Sequence, residues 1–183
     1  MAQVCVEICV VAMSKKVFVT VGTTLFDALV HAVDDMEFHK LLASQGYTEL
    51  VIQYGRGAVP KLDKAAGSPL SVEAFSLKPT LKDDFRTAAL VISHAGAGSI
   101  MEALRAKRPL ITVVNSSLMG NHQLETAVAF EKLKCLVLVE SPDKLFEAVK
   151  EVDLEALEEY PEPDLTGFNA CIAGLTGVHP CAA

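Results

Sequence analysis

The chain has 183 residues, 51% of them hydrophobic, which is enough for one domain with a sizeable core. Its net charge of −7 excludes the basic face that a nucleic-acid binder requires. The five cysteines (Cys5, Cys9, Cys135, Cys171, Cys181) are scattered and form no CxxC pair, so neither a disulfide framework nor a zinc site is indicated, and a reducing cytosol is the expected setting.

The apolar stretch at 4–13 is interrupted by Glu7 and follows no basic segment. It also falls well short of the roughly 20 apolar residues of a membrane span. Residues 1–14 are therefore read as an extension, 15–160 as the folded domain, and 161–183 as a C-terminal helix (165–173) and tail. The first strand is predicted at 17–21. A helix at 24–33 follows, opening with Thr24-x-x-Asp27, and a second helix at 36–44. The second strand is predicted at 50–53. Gly55, Gly57, Pro60, Gly67 and Pro69 then make 55–72 a long loop, with room for a short strand near 72–77.

A helix at 80–87 leads into a strand at 89–92. Ser99 and Glu102 open a helix at 99–107 that ends in basic residues. A strand at 110–114, a helix at 121–133 and a strand at 135–139 follow, with Cys135 read as a core thiol. Ser141-Pro142-Asp143 opens the last helix of the domain, with serine as cap and proline at the first helical position. The strand runs are rich in Val, Ile and Leu and lack alternation, as parallel strands covered on both faces do. Strand and helix alternate. The expected class is α/β: a Rossmann-like, mainly parallel sheet with helices on both faces.

In open α/β sheets ligands bind beyond the carboxyl ends of the strands, so the turns that follow strands carry the chemistry. The first is Val21-Gly22-Thr23-Thr24. Its glycine, hydroxyls and helix-start amides suit a diphosphate, and they equally suit an ordinary turn capped by Thr24. The most informative is Ile92-Ser93-His94-Ala95-Gly96-Ala97-Gly98-Ser99-Ile100-Met101-Glu102. Strand, small-residue turn and helix form the geometry that presents backbone N–H groups to phosphate. Glu102 is either the second half of a capping box with Ser99 or a carboxylate for ribose hydroxyls.

The segment is not a dinucleotide fingerprint, since Met101 stands where a third glycine would fall, and no G-x-x-x-x-G-K-[ST] loop is present. The third site, Asn115-Ser116-Ser117-Leu118-Met119-Gly120-Asn121-His122-Gln123, places Asn121, His122 and Gln123 at the same edge. Gln53-Tyr54-Gly55-Arg56-Gly57 adds a fourth loop there, in which Arg56 is either a ligand-facing charge or an exposed turn residue.

Taken together, four segments carry a specific resemblance: Phe18-Val19-Thr20-Val21-Gly22-Thr23-Thr24 with Phe26-Asp27, Ile52 to Gly57, Ile92 to Ser99 with Glu102, and Asn121-His122-Gln123-Leu124-Glu125. The chain resembles the small catalytic subunit of the two-part N-acetylglucosaminyltransferase of dolichol-linked oligosaccharide assembly. That family is itself similar to the donor-binding C-terminal half of MurG-like glycosyltransferases. The resemblance covers roughly residues 15–160. It implies one Rossmann-like half of a GT-B glycosyltransferase that takes GlcNAc from UDP-GlcNAc to dolichol-diphosphate-GlcNAc, the second step of lipid-linked oligosaccharide assembly. It implies inversion without a metal or other cofactor.

By the same resemblance, Gly22, Thr23, Thr24, Gly96, Gly98 and Ser99 lie near the diphosphate and Glu102 binds the ribose. Gln123 would bond the sugar hydroxyls, Asn121 joins the donor-binding set, and Leu124 departs from a position that is often polar in MurG-like enzymes. His94 and His122 are the candidate bases, with a base on the partner as the alternative. A half-enzyme needs a second, membrane-anchored, acceptor-binding subunit. This chain would then be cytoplasmic and recruited to the cytosolic face of the endoplasmic reticulum, with the 161–183 segment as a docking element. Two other readings stand beside it: another nucleotide-sugar-binding GT-B half, and a non-catalytic interaction subunit of the same fold.

Overall fold

The computed structural model describes residues 14–61, 67–115 and 122–161. The extension at 1–13, the helix expected at 165–173, Cys5, Cys9, Cys171, Cys181 and residues 116–121 of the third site lie outside the described residues.

The chain builds β1 (Lys16–Thr20), α1 (Asp27–Val33), α2 (Met36–Ser44), β2 (Glu49–Gln53), β3 (Ser71–Phe75), α3 (Lys82–Thr87), β4 (Ala88–His94), α4 (Ala97–Arg105), β5 (Leu110–Val113), α5 (His122–Lys132), β6 (Val137–Val139) and α6 (Leu145–Glu151). The strands form one six-stranded sheet in the order β3-β2-β1-β4-β5-β6, and every pairing is parallel. This is the Rossmann order. Side chains alternate across the strands and so feed two cores. Val17, Val19, Leu50, Ile52, Leu90, Ile92 and Ile111 pack under α1, α2 and α6. Phe18, Val51, Val91 and Leu110 pack under α3, α4 and α5. There Phe18 meets Phe85 edge-on at 5.2 Å. Cys135 is a buried free thiol, as expected.

Four helix starts differ from the sequence reading; one is that of α6, which begins at Leu145 after a 3₁₀ turn over Pro142–Lys144, with no side-chain cap bond from Ser141. α1 begins at Asp27, not Thr24, and no side chain caps it. The Thr24 hydroxyl turns back to donate to the Val21 carbonyl (2.8 Å). Asp27 accepts the Ala58 N–H (2.8 Å), fastening the β2 loop to α1. α3 begins at Lys82, with Thr80 outside it. α4 begins at Ala97 with Gly96 at its cap position and no side-chain cap. Ser99 and Glu102 both lie inside the helix, so they form no capping box. The cause is β4, which runs on through Ser93 and His94 because both pair across the sheet, with Thr20, Thr112 and Val113 as neighbours. Only Ala95 and Gly96 remain for the turn.

The same registers produce a feature that positions the site. Gln53, Thr20, Ser93 and Thr112 stand in one row across β2, β1, β4 and β5 at the carboxyl edge. All four are buried. Buried polar groups need partners: Gln53 and Thr20 bond each other and the Gly22 backbone in the loop above, Ser93 donates to the His94 carbonyl (2.9 Å), and the Thr112 hydroxyl has no partner among the described residues.

Candidate functional site

The strand order reverses between β1 and β4, and the crevice beyond their carboxyl ends is the switch point where such folds bind ligands. The β1 loop forms one wall and the start of α4 the other.

The β1 wall is held from below. Gln53 Nε2 donates to the Gly22 carbonyl (2.7 Å). Gln53 Oε1 accepts the Gly22 N–H (3.1 Å) and also the Thr20 hydroxyl. Gly22 N–H is shared with Thr20 Oγ1 (3.1 Å). This geometry sets φ of Gly22 at +62°, a conformation that glycine adopts without strain. Gly22 therefore spends its own polar groups inside the fold. Thr24 likewise spends its hydroxyl proton on Val21. Thr23 is exposed, and neither its hydroxyl nor its N–H has a partner among the described residues. From β5, Asn115 Nδ2 reaches across to the Leu25 carbonyl (3.1 Å) and braces the same loop.

His94 sits between the two walls. It is only 6% exposed, and its Nδ1 lies 3.4 Å from the Thr20 carbonyl. A carbonyl only accepts, so Nδ1 carries the proton and Nε2 is the unprotonated nitrogen. Burial pushes the imidazole pKa below its ordinary value, and the Thr20 bond offsets part of that. His94 is neutral at neutral pH.

The α4 wall starts with an uncapped turn. Ile100 N–H is the first to close on Gly96 (3.1 Å), leaving the earlier amides to point out of the helix, where its dipole favours an anion. Gly98 faces open space, since a Cβ there would meet nothing within 4 Å. Glu102 lies four residues beyond Gly98 and three beyond Ser99, so the three share a helix face. Exposed Glu102 borders a groove of about 480 Å³ between α3 and α4, lined also by Lys82, Phe85, Arg86 and Arg105. Of these cations Arg86 pairs with Asp83 (3.2 Å).

The structure thus places Gly22, Thr23, Thr24, His94, Gly96, Gly98 and Ser99 at the carboxyl ends of β1 and β4, with Glu102 one turn further along α4. α5 opens at His122, so His122 and Gln123 belong to its first turn at the same edge, while Asn121 lies outside the described residues. Arg56 is exposed on the β2 loop. In the sequence Gln53 reads only as the end of the second strand and the start of its loop, and Asn115 only as a loop residue. Their signal is a polar residue closing a buried Val/Ile/Leu run. Among the described residues no group of His, Cys, Asp and Glu is placed to hold a metal ion, and no helix is long and apolar enough to cross a membrane.

The parallel sheet and its strand order define a Rossmann-like α/β half of the kind found in GT-B glycosyltransferases. The chain belongs to the glycosyltransferase family 28 C-terminal domain, whose sequence model matches residues 16–170. It is similar to proteins named UDP-N-acetylglucosamine transferase subunit ALG13. The human protein is 46% identical over 64% of this chain and 10% of its own length. The Eremothecium gossypii protein is 34% identical over 84% of this chain and 89% of its own. The chain thus spans about a tenth of the human and mouse relatives. Among solved structures it resembles an NMR solution structure of ALG13, with a TM-score of 0.63 and 28% identity over 86% of this chain and 94% of that one. It shares its fold with Acinetobacter baumannii MurG, with a TM-score of 0.58 and 14% identity over 79% of this chain and 43% of that one.

Proposed function

We propose that the chain is the donor-binding subunit of a two-part glycosyltransferase that moves GlcNAc from UDP-GlcNAc to dolichol-diphosphate-GlcNAc. The observation that carries the reading is the shared face of α4. Outward amides lie at its start, open space over Gly98 follows, and Glu102 stands one turn on. A UDP-sugar fits that spacing, with diphosphate at the amides and the exposed Thr23, and ribose hydroxyls at Glu102. Asn121 and Gln123 would bind the sugar. Membership of glycosyltransferase family 28 supports the class of reaction, and the names of the relatives support the donor and the subunit character.

Inverting transfer needs a base for the acceptor hydroxyl. His94 is buried between the walls, and its unprotonated Nε2 lies against Gly96, so we assign the base to His122 or to the partner. The helix-start amides, rather than a metal or other cofactor, would offset the leaving diphosphate. The naming of the relatives as subunits supports a partner polypeptide for the acceptor side. We take that partner to be membrane-anchored, which would bring this chain to the cytosolic face of the endoplasmic reticulum.

Calorimetric titration with UDP-GlcNAc, UDP-glucose and NAD tests the donor. UDP-GlcNAc is expected to bind most tightly, and preference for NAD would contradict the reading. Full transfer by the purified chain alone, on acceptor in detergent, would contradict the two-part arrangement.

A further inference from the structure

The clamp beneath the first loop decides which backbone group meets the ligand. Gln53 is 2% exposed, and its amide takes both polar groups of Gly22, donating to the carbonyl (2.7 Å) and accepting from the N–H (3.1 Å). The carbonyl of Gly22 and the N–H of Thr23 belong to one peptide unit. In a trans peptide they point to opposite sides, and the described chain holds no cis peptide. With the carbonyl drawn inward to Gln53, the Thr23 N–H is turned outward, where Thr23 is exposed. Glycine at 22 tolerates either orientation of that peptide. The opposite one would show an anion the carbonyl oxygen in place of the N–H.

We propose that Gln53 is a positioning residue for the ligand diphosphate: it locks the Gly22–Thr23 peptide so that the Thr23 N–H faces the phosphate. This rests on the donor reading above. Gln53 touches no ligand. It removes the cost of orienting a donor at the moment of binding, which is how preorganised dipoles add affinity. Thr20 completes the clamp, since its hydroxyl donates to Gln53 Oε1 and accepts from the Gly22 N–H.

The experiment titrates UDP and uridine into the full chain and its Gln53→Met and Gln53→Glu variants, with ¹⁵N shifts read at Thr23. The wild type is expected to bind UDP more tightly than uridine, with the Thr23 amide moving on addition of UDP. Gln53→Met should bind UDP about tenfold more weakly, the loss of one charge-assisted hydrogen bond, with uridine binding unchanged. Gln53→Glu keeps the acceptor oxygen and loses the donor. Its protonated form regains an O–H donor for the Gly22 carbonyl. Its UDP affinity, taken relative to the wild type at each pH, should therefore recover as pH falls. This arm suffices if Gln53→Met does not fold.

Unchanged UDP affinity in the folded variants overturns the proposal. So does an equal weakening of UDP and uridine, which would mark a general structural role. A wild type with no preference for UDP over uridine would remove the donor reading itself, and this inference with it.

Discussion

The His94 ring fills the space in which Gly96 would carry a side chain: a Cβ there would lie 2.2 Å from Nε2. The same ring bounds Gly22, where a Cβ would lie 2.7 Å from Cε1. His94 therefore sets the separation of the two loops at the switch point. Gly96→Ala forces the ring to move, and overpacking of this kind costs about 1–3 kcal/mol. Urea unfolding should show that loss, and His94→Ala in the same chain should recover part of it. A Gly96→Ala protein as stable as the wild type would contradict the spacer role.

Gly98 stands in contrast, with nothing within 4 Å of an added Cβ. Gly98→Ala should leave stability unchanged or raise it by up to about 1 kcal/mol, the helix propensity gain. Gly98→Leu should still fold yet lose UDP binding, because its side chain would occupy the path between the amides and Glu102. UDP binding by Gly98→Leu at wild-type strength would place the ligand elsewhere.

Glu102 is exposed and caps nothing, so stability and binding should separate cleanly there. Glu102→Gln should leave the melting temperature almost unchanged. It should weaken UDP and uridine alike by an amount set by one hydrogen bond to a charged group, about 1.5–3 kcal/mol. A fall in melting temperature with unchanged affinity would restore a structural role.

The strands and the fold class were legible because buried parallel strands write themselves as Val/Ile/Leu runs. β3 was only half visible, since Ser71–Phe75 is a partly exposed edge strand that alternates polar and apolar residues. The start of α1 was misplaced because Thr24-x-x-Asp27 imitates a capping box. Its true partners, Val21 and Ala58, are set by the turn and by a distant loop. The start of α4 was misplaced because Ser93 and His94 read as turn residues, whereas sheet pairing holds them in β4. At the site, the glycine turns and Glu102 could be read directly. That Gly22 spends its N–H inward could not, because the cause is Gln53 on a neighbouring strand.

Acid should weaken the fold through two histidines. His39 is fully buried. Its Nε2–H donates to the Val33 carbonyl (3.0 Å), and its Nδ1 accepts from the Ser68 hydroxyl (2.9 Å). Burial lowers its pKa, as it does that of His94. The unfolded chain therefore takes up protons first, as pH falls through about 6.5, and stability falls with it. Urea midpoints should vary little between pH 7 and 8 and drop from about pH 6.5 towards 5. His39→Gln should flatten part of that slope. A midpoint that rises on acidification would show that these groups are not the ones titrating.

The central claim is that a nucleoside diphosphate sugar binds where β1 and β4 diverge. The most direct measurement is a ¹H–¹⁵N shift map of the full chain titrated with UDP-GlcNAc. The expected result is a contiguous set of perturbed amides at Thr23, Gly96 to Ser99 and Glu102. Perturbations confined to the groove of α1, α2 and α6 around His31 and Phe146, with the switch point silent, would contradict it.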